Sequence, residues 1–338
     1  MRILHLAAAF VAMSLAGEAL AQAAAPAAPA APQQPRELSA EDKALNESLK
    51  SFIKSSAQLP MQRVEIKVPM KLGMVTAMAG DKAGNIYIFH RPKDGDPIVM
   101  VDKSGKILRS FGKGNYTIPH SIHVDPAGNV WTTDANTSKV HKYSAEGKQL
   151  LEITVGEIPD PKRPFCSVTG IAFPANGNIL VSDGYCNARI LEYTQDGKRV
   201  KEWGTKGKGN GEFTLPHDVS IGPNGTIFVA DRENGRVQWF DSSNKYLGQK
   251  LIGGRLYSVA AAADGGVYVG VAAKGGPRLD TDGNIFKINT KTGAVEGRLE
   301  MMSHETEVGA DGTIYPGTAD LITNDNPNES TIVVYRNK

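Results

Sequence analysis

Six segments of this chain read alike, and their even spacing restricts the fold more than any other feature. They are Gly80–Ile88, Asp125–Thr132, Pro174–Val181, Gly222–Val229, Ala263–Val269 and Ala310–Tyr315. Each joins a short glycine-containing turn to a run of β-branched and aromatic residues, the pattern of a hairpin leading into a strand. The turn glycines, Gly84, Gly128, Gly177, Gly225, Gly265 and Gly312, are 44, 49, 48, 40 and 47 residues apart. That period suits one four-stranded blade, so six of them predict an all-β, six-bladed β-propeller. A pair of β-sandwich domains would not require six equal repeats.

Most hairpins are followed by a third strand with its own turn, as in Arg189–Lys198 and Arg236–Asp241, and the pattern resembles NHL-type repeats. The sixth unit ends at Thr331–Arg336 without an outer strand, and Arg63–Val68 near the start can supply it. Closing the ring in this way removes an exposed sheet edge. The propeller is therefore placed at residues 61–338.

Residues 1–21 read as a secretory signal peptide: Arg2, an apolar run from Ile3 to Leu15, and the small-residue site Ala19-Leu20-Ala21. The run is short for a membrane span. Residues 22–60 form a linker, Ala/Pro/Gln-rich as far as Arg36, where no large apolar side chains offset the entropy of ordering. Residues 38–58 hold one short helix, with Ser39 as its N-cap and Glu41 and Asp42 in its first turn, placed outside the propeller. A secreted or periplasmic location follows, with no membrane span.

The chain carries 38 basic and 36 acidic residues, a net charge of +2, which gives no electrostatic footprint for nucleic acid. A small-molecule or peptide partner is expected instead, with the protein a monomer. In an oxidising compartment the only two cysteines, Cys166 and Cys186, are expected to pair.

Three of the seven histidines stand in phase with the repeat: His120, His217 and His304 each precede a turn glycine by 8 residues. They fall in blades two, four and six, and the matching positions of blades one, three and five are Thr76, Thr169 and Tyr257. This position opens the innermost strand, which lines the central channel. Alternate blades then aim three imidazoles at the axis, about 120° apart in a six-fold ring. Three neutral imidazoles with one open position are the ligand set of a catalytic zinc site. His90, His123 and His141 lack the phase.

Longer motifs lie around these residues: Val181–Ile190, Leu215–Asp218, Ala230–Gln238, Ile88–Arg91, Ile118–Ser121 and Met302–Glu305. Together they resemble the peptidyl-α-hydroxyglycine α-amidating lyases over about residues 72 to 320. The resemblance implies zinc on His120, His217 and His304, a catalytic Tyr185, and active-site arginines Arg91 and Arg232. It also implies that the Cys166–Cys186 bridge holds the Tyr185 loop, and that Met302 lines the substrate pocket. A structural calcium on the carbonyls of Met78 and Ile122 and on the side chain of Glu305 is implied as well. Glu305 and Ser303 depart from the family pattern, which has Asp and Pro there.

The implied reaction breaks the N–Cα bond of a peptidyl- or N-acyl-α-hydroxyglycine to give an amide and glyoxylate. No monooxygenase segment is expected here, so the hydroxylated substrate would come from elsewhere. Two other classes fit parts of the sequence: a non-catalytic NHL propeller binding peptide or protein in the cell envelope, and a calcium-dependent, lactonase-like hydrolase whose metal would sit among oxygen ligands.

Overall fold

The computed structural model describes residues 37–275, 283–317 and 328–338. The signal peptide and the Ala/Pro-rich linker expected before residue 37 lie outside the described residues.

Six four-stranded antiparallel sheets form the ring. Their inner strands are Met74–Gly80, Pro119–Val124, Val168–Ala172, Pro216–Ile221, Arg255–Ala261 and Glu305–Val308. The six turn glycines all adopt positive φ, which side chains with a Cβ rarely tolerate, and each turn leads into the second strand of its sheet as the repeat predicts. The last sheet closes with the first strand of the chain: Met61–Val68 pairs antiparallel with Ser330–Asn337, from Met61 opposite Asn337 to Val68 opposite Ser330. The chain is thus a six-bladed β-propeller.

Apolar side chains on facing sheets fill each gap between neighbours. Six buried clusters result, one per blade interface; Ile88, Val99 and Val334 pack between blades six and one, and Trp131, Ile153 and Leu191 between blades two and three. Inner strands are mostly buried, wholly so at Val168–Ala172, whereas the outer strand Arg199–Trp203 is almost wholly exposed. The difference follows from radial packing, in which only the outermost strand meets water along its length.

The helix Ala40–Ser55 is capped by Ser39, whose hydroxyl accepts from the Asp42 N–H at 3.1 Å, with Glu41 and Asp42 in its first turn. It does not stand outside the propeller. Leu49 is buried in the cluster between blades four and five, with Phe52 and Ile53 packed beside it. The Gly254 N–H bonds to Leu45 O at 2.9 Å, and a Cβ on Gly253 would lie 2.1 Å from that oxygen. Docking is favoured by the burial of Leu49, since one buried leucine supplies about 2 kcal/mol of transfer free energy. Among the described residues no helix is long and apolar enough to cross a membrane.

Candidate metal centre and active site

The three in-phase histidines meet on the axis. The ring centroids of His120, His217 and His304 lie 4.6 to 4.9 Å apart, and one ligand atom from each falls within 4.8 Å of the others. Each Nδ1 is anchored by the carbonyl at the matching position of the next blade: His120 by Thr169 O at 3.0 Å, His217 by Tyr257 O at 2.7 Å and His304 by Thr76 O at 3.2 Å. A carbonyl can only accept, so each Nδ1 carries the proton and each Nε2 keeps a lone pair for the centre. All three rings are buried. Burial holds all three imidazoles below their usual range, His304 down to about 3, so they are neutral and ready to ligate at ordinary pH. Among the described residues this is the one cluster that could hold a metal ion, and its donor set fits a divalent transition metal.

Tyr185 caps the triad. Its hydroxyl lies 2.9 Å from His120 Nε2 and 3.1 Å from His217 Nε2. The loop that carries it is fixed on both sides. The Cys166–Cys186 disulfide ties it to the segment entering the inner strand of blade three, and the Tyr185 N–H bonds to Ser167 O at 3.2 Å. Gly184 before it passes so close to Pro216 that a Cβ would lie 2.0 Å from the Pro216 carbonyl oxygen. Burial pushes the Tyr185 phenol up to about 12, while Arg232 and then Arg91 pull the other way.

The two arginines differ in how they are held. Arg91 Nε donates to Pro119 O at 3.0 Å, its guanidinium stacks 5.4 Å from the centre of the Phe165 ring, and it makes no ion pair among the described residues. Arg232 is paired with Glu233 at 2.9 Å and lies 5.8 Å and 5.1 Å from the ring centres of Tyr185 and Tyr257. Met302 packs on Tyr257 and Ala272 nearby. A cavity of about 500 Å³ opens beside Tyr185, lined in part by Arg163, Asn187, Lys206, Leu215 and Glu233.

Below the imidazoles the channel turns acidic. Glu305 is only 3% exposed and neither carboxylate oxygen has a hydrogen-bond partner among the described residues; His120 Nδ1 lies at 3.5 Å and His217 Nδ1 at 3.9 Å, both already committed to carbonyls. Burial, and then Asp218 beside it, holds the Glu305 carboxyl well above the usual range, and burial raises Asp218 to about 7. Met78 and Ile122 lie buried in the inner strands of blades one and two, next round the ring from Glu305 in blade six. Further down, His123 pairs with Glu307 at a cavity of about 610 Å³ in the opposite mouth, away from the triad.

The structure thus brings His120, His217, His304, Tyr185, Arg91, Arg232 and Met302 to one end of the channel. Sequence reading passed over Phe165, Glu233 and Asp218. Asp218 was within reach of the repeat, because it follows His217 as Glu305 follows His304; the other two are adjacent to picked residues and carry no phase of their own.

A model of the NHL repeat matches residues 213–240. The chain is 36% identical over 241 residues to peptidyl-alpha-hydroxyglycine alpha-amidating lyase 1 of Drosophila melanogaster, covering 59% of this chain and 44% of the fly protein. It is 31% identical over 296 residues to peptidyl-glycine alpha-amidating monooxygenase A of Xenopus laevis, covering 75% of this chain and 31% of that protein. This chain is a relative of the peptidyl-α-hydroxyglycine α-amidating lyases. This chain spans less than half the length of either of these relatives. Its fold matches a solved streptogramin B lyase with a TM-score of 0.55 at 15% identity, covering 83% of this chain and all of that one; at that identity the likeness speaks for the propeller alone.

Proposed function

We propose that this protein is an exported, monomeric zinc-dependent lyase that cleaves the N–Cα bond of peptidyl- or N-acyl-α-hydroxyglycines to an amide and glyoxylate. One observation carries the reading: three anchored imidazoles present their Nε2 atoms to one point, with the Tyr185 hydroxyl within 3.1 Å of two of them. Zinc bound there supplies a Lewis acid and a fixed positive charge for an oxygen that must lose its proton.

The chain's own residues do the rest. Arg91, half-buried and without an acidic partner among the described residues, holds the substrate carboxylate. Tyr185 takes the hydroxyl proton, with Arg232 and Arg91 favouring its ionised form against the effect of burial. As the C=O of glyoxylate forms and the N–Cα bond breaks, the departing amide nitrogen takes a proton back from Tyr185, so the residue ends as it began. Met302 and the cavity beside Tyr185 accommodate the acyl or peptide portion.

Structural calcium at Glu305, with the carbonyls of Met78 and Ile122, is part of the same proposal. A buried carboxylate without a hydrogen-bond partner is costly unless a cation or a proton neutralises it, and Glu305 is such a group. Its disulfide suits a secreted or periplasmic location.

The test is release of glyoxylate from an N-acylated α-hydroxyglycine by zinc-loaded protein, with metal analysis alongside. Glyoxylate with about one zinc per chain supports the lyase. Calcium alone with ester or lactone hydrolysis would replace it with the hydrolase reading, and neither metal nor turnover would leave a binding propeller.

A further inference from the structure

Helix Ala40–Ser55 reaches the candidate active site through a chain of charges. Lys274 leaves the second strand of blade five and is only 6% exposed, an unusual place for an ammonium group. Its Nζ donates to Asp42 Oδ1 of the helix at 2.8 Å and to the Glu233 carbonyl oxygen at 2.7 Å, and lies 3.5 Å from Glu233 Oε2. The helix also grips the Lys274 backbone: Asn46 Nδ2 donates to Lys274 O at 2.9 Å, and the Lys274 N–H donates to Asn46 Oδ1 at 2.8 Å. From there Glu233 accepts from Arg232 Nε at 3.0 Å and from Arg255 Nε at 3.2 Å. Arg232 lies over the rings of Tyr185 and Tyr257.

The order of charges matters. Lys274, Arg232 and Arg255 are three cations sharing two carboxylates, Asp42 and Glu233. While Asp42 satisfies the buried Lys274, the Glu233 carboxylate bonds to the two arginines and stands 3.5 Å from the ammonium. Without Asp42 the ammonium has only one carboxylate within reach, and the attraction between buried opposite charges draws Glu233 off Arg232.

We infer that the N-terminal helix is a working part of the active site: Asp42, acting through Lys274 and Glu233, is a positioning residue that fixes the Arg232 guanidinium over Tyr185. Asp42 touches nothing that reacts. The inference rests on the lyase reading for its kinetic consequence, but the position of Arg232 can be read without any activity.

The experiment compares wild type, Asp42→Asn, Asp42→Glu, Glu233→Gln and the double variant Asp42→Asn/Glu233→Gln, all as full-length zinc-loaded protein. The first readout is the ¹H–¹⁵N resonance of the Arg232 Nε–H, assigned by its loss in Arg232→Lys; the second is kcat and KM for glyoxylate release. Asp42→Asn is expected to shift the Arg232 resonance and lower kcat about tenfold at unchanged zinc content, in the range seen when a supporting residue behind an active group is lost. Asp42→Glu should restore most of both, and Asp42→Asn should add little in the Glu233→Gln background because the route is already cut. An Asp42→Asn protein that melts earlier yet keeps the Arg232 resonance and kcat would reduce the helix to a structural brace and overturn the inference, as would fully additive effects in the double variant. If wild type releases no glyoxylate, the lyase reading fails by itself, and the Arg232 resonance still decides the role of Asp42.

Discussion

Odd and even blades use the same position in different ways. At the in-phase position near the start of the inner strand, blades two, four and six have histidine, which offers a side chain to the axis; blades three, five and one have Thr169, Tyr257 and Thr76, which offer a backbone carbonyl to the neighbouring imidazole. Six equivalent positions therefore close into one ring of alternating donors and acceptors. The even blades set which ion the centre can hold, and the odd blades set which ring nitrogen is free to hold it. Odd blades are not silent at other positions: blade one carries Arg91 and the loop of blade three carries Tyr185.

The largest expected break comes from an even blade. His217→Ala removes one of three ligands and should weaken zinc binding by about three powers of ten, given that structural zinc sites are worth on the order of 10 kcal/mol in all; competition with a chromogenic chelator measures it. Retention of zinc at wild-type affinity would dissolve the triad.

Next is the odd-blade Tyr185. Tyr185→Phe leaves the imidazoles and their anchors in place, so zinc should stay bound while kcat falls about a hundredfold or more, the usual weight of a positioned acid–base group. Full glyoxylate release by this variant would take the proton transfer away from Tyr185.

Acid reaches one histidine in each set of blades, His304 in blade six and His90 in blade one. His304 titrates near 3 in the fold, and His90, whose Nδ1 accepts from the Gly73 N–H at 3.0 Å, near 4. Their ordinary value is about 6.5, so between about 6.5 and those lower values the unfolded chain binds more protons than the folded one. Each such histidine therefore costs metal-free protein stability below about pH 6.5, by up to about 1.4 kcal/mol per pH unit. Asp218, held up to about 7, and Glu305, held well above the usual range, act with the opposite sign because the folded state binds their protons more tightly. Urea unfolding of wild type and His90→Asn across about pH 7 to 4 isolates one histidine's share, and identical slopes would mean that burial does not keep His90 neutral.

The smallest effect is expected from an odd-blade side chain. Thr76→Val keeps the carbonyl that anchors His304 and removes only the hydroxyl bond to Phe89 O at 3.2 Å. Zinc affinity should be unchanged, with about 1 kcal/mol of stability lost. A marked loss of zinc would show that the odd blades contribute more than backbone.

Much of this was legible beforehand, for physical reasons that can be named. Turn glycines are forced by positive φ, and inner strands by burial on both faces, so the repeat appears in the sequence wherever Gly84 to Gly312 recur. Because the ring is periodic, phase in sequence became direction in space, and His120, His217 and His304 could be placed on the axis from spacing alone. The helix could not be placed that way: whether Ala40–Ser55 docks depends on Leu49 meeting a gap between blades four and five and on Gly253 and Gly254 leaving room for it.

The sequence by itself determined the number of blades, the closure by Arg63–Val68 and the three imidazoles, since each follows from a local pattern repeated at a fixed interval. Only the tertiary structure decided which carbonyl anchors each Nδ1, that Arg232 has Glu233 while Arg91 has no acidic partner among the described residues, and that Asp42 stands behind them. Those contacts depend on side-chain and loop geometry that the period does not specify, and one of them joins residues 232 positions apart.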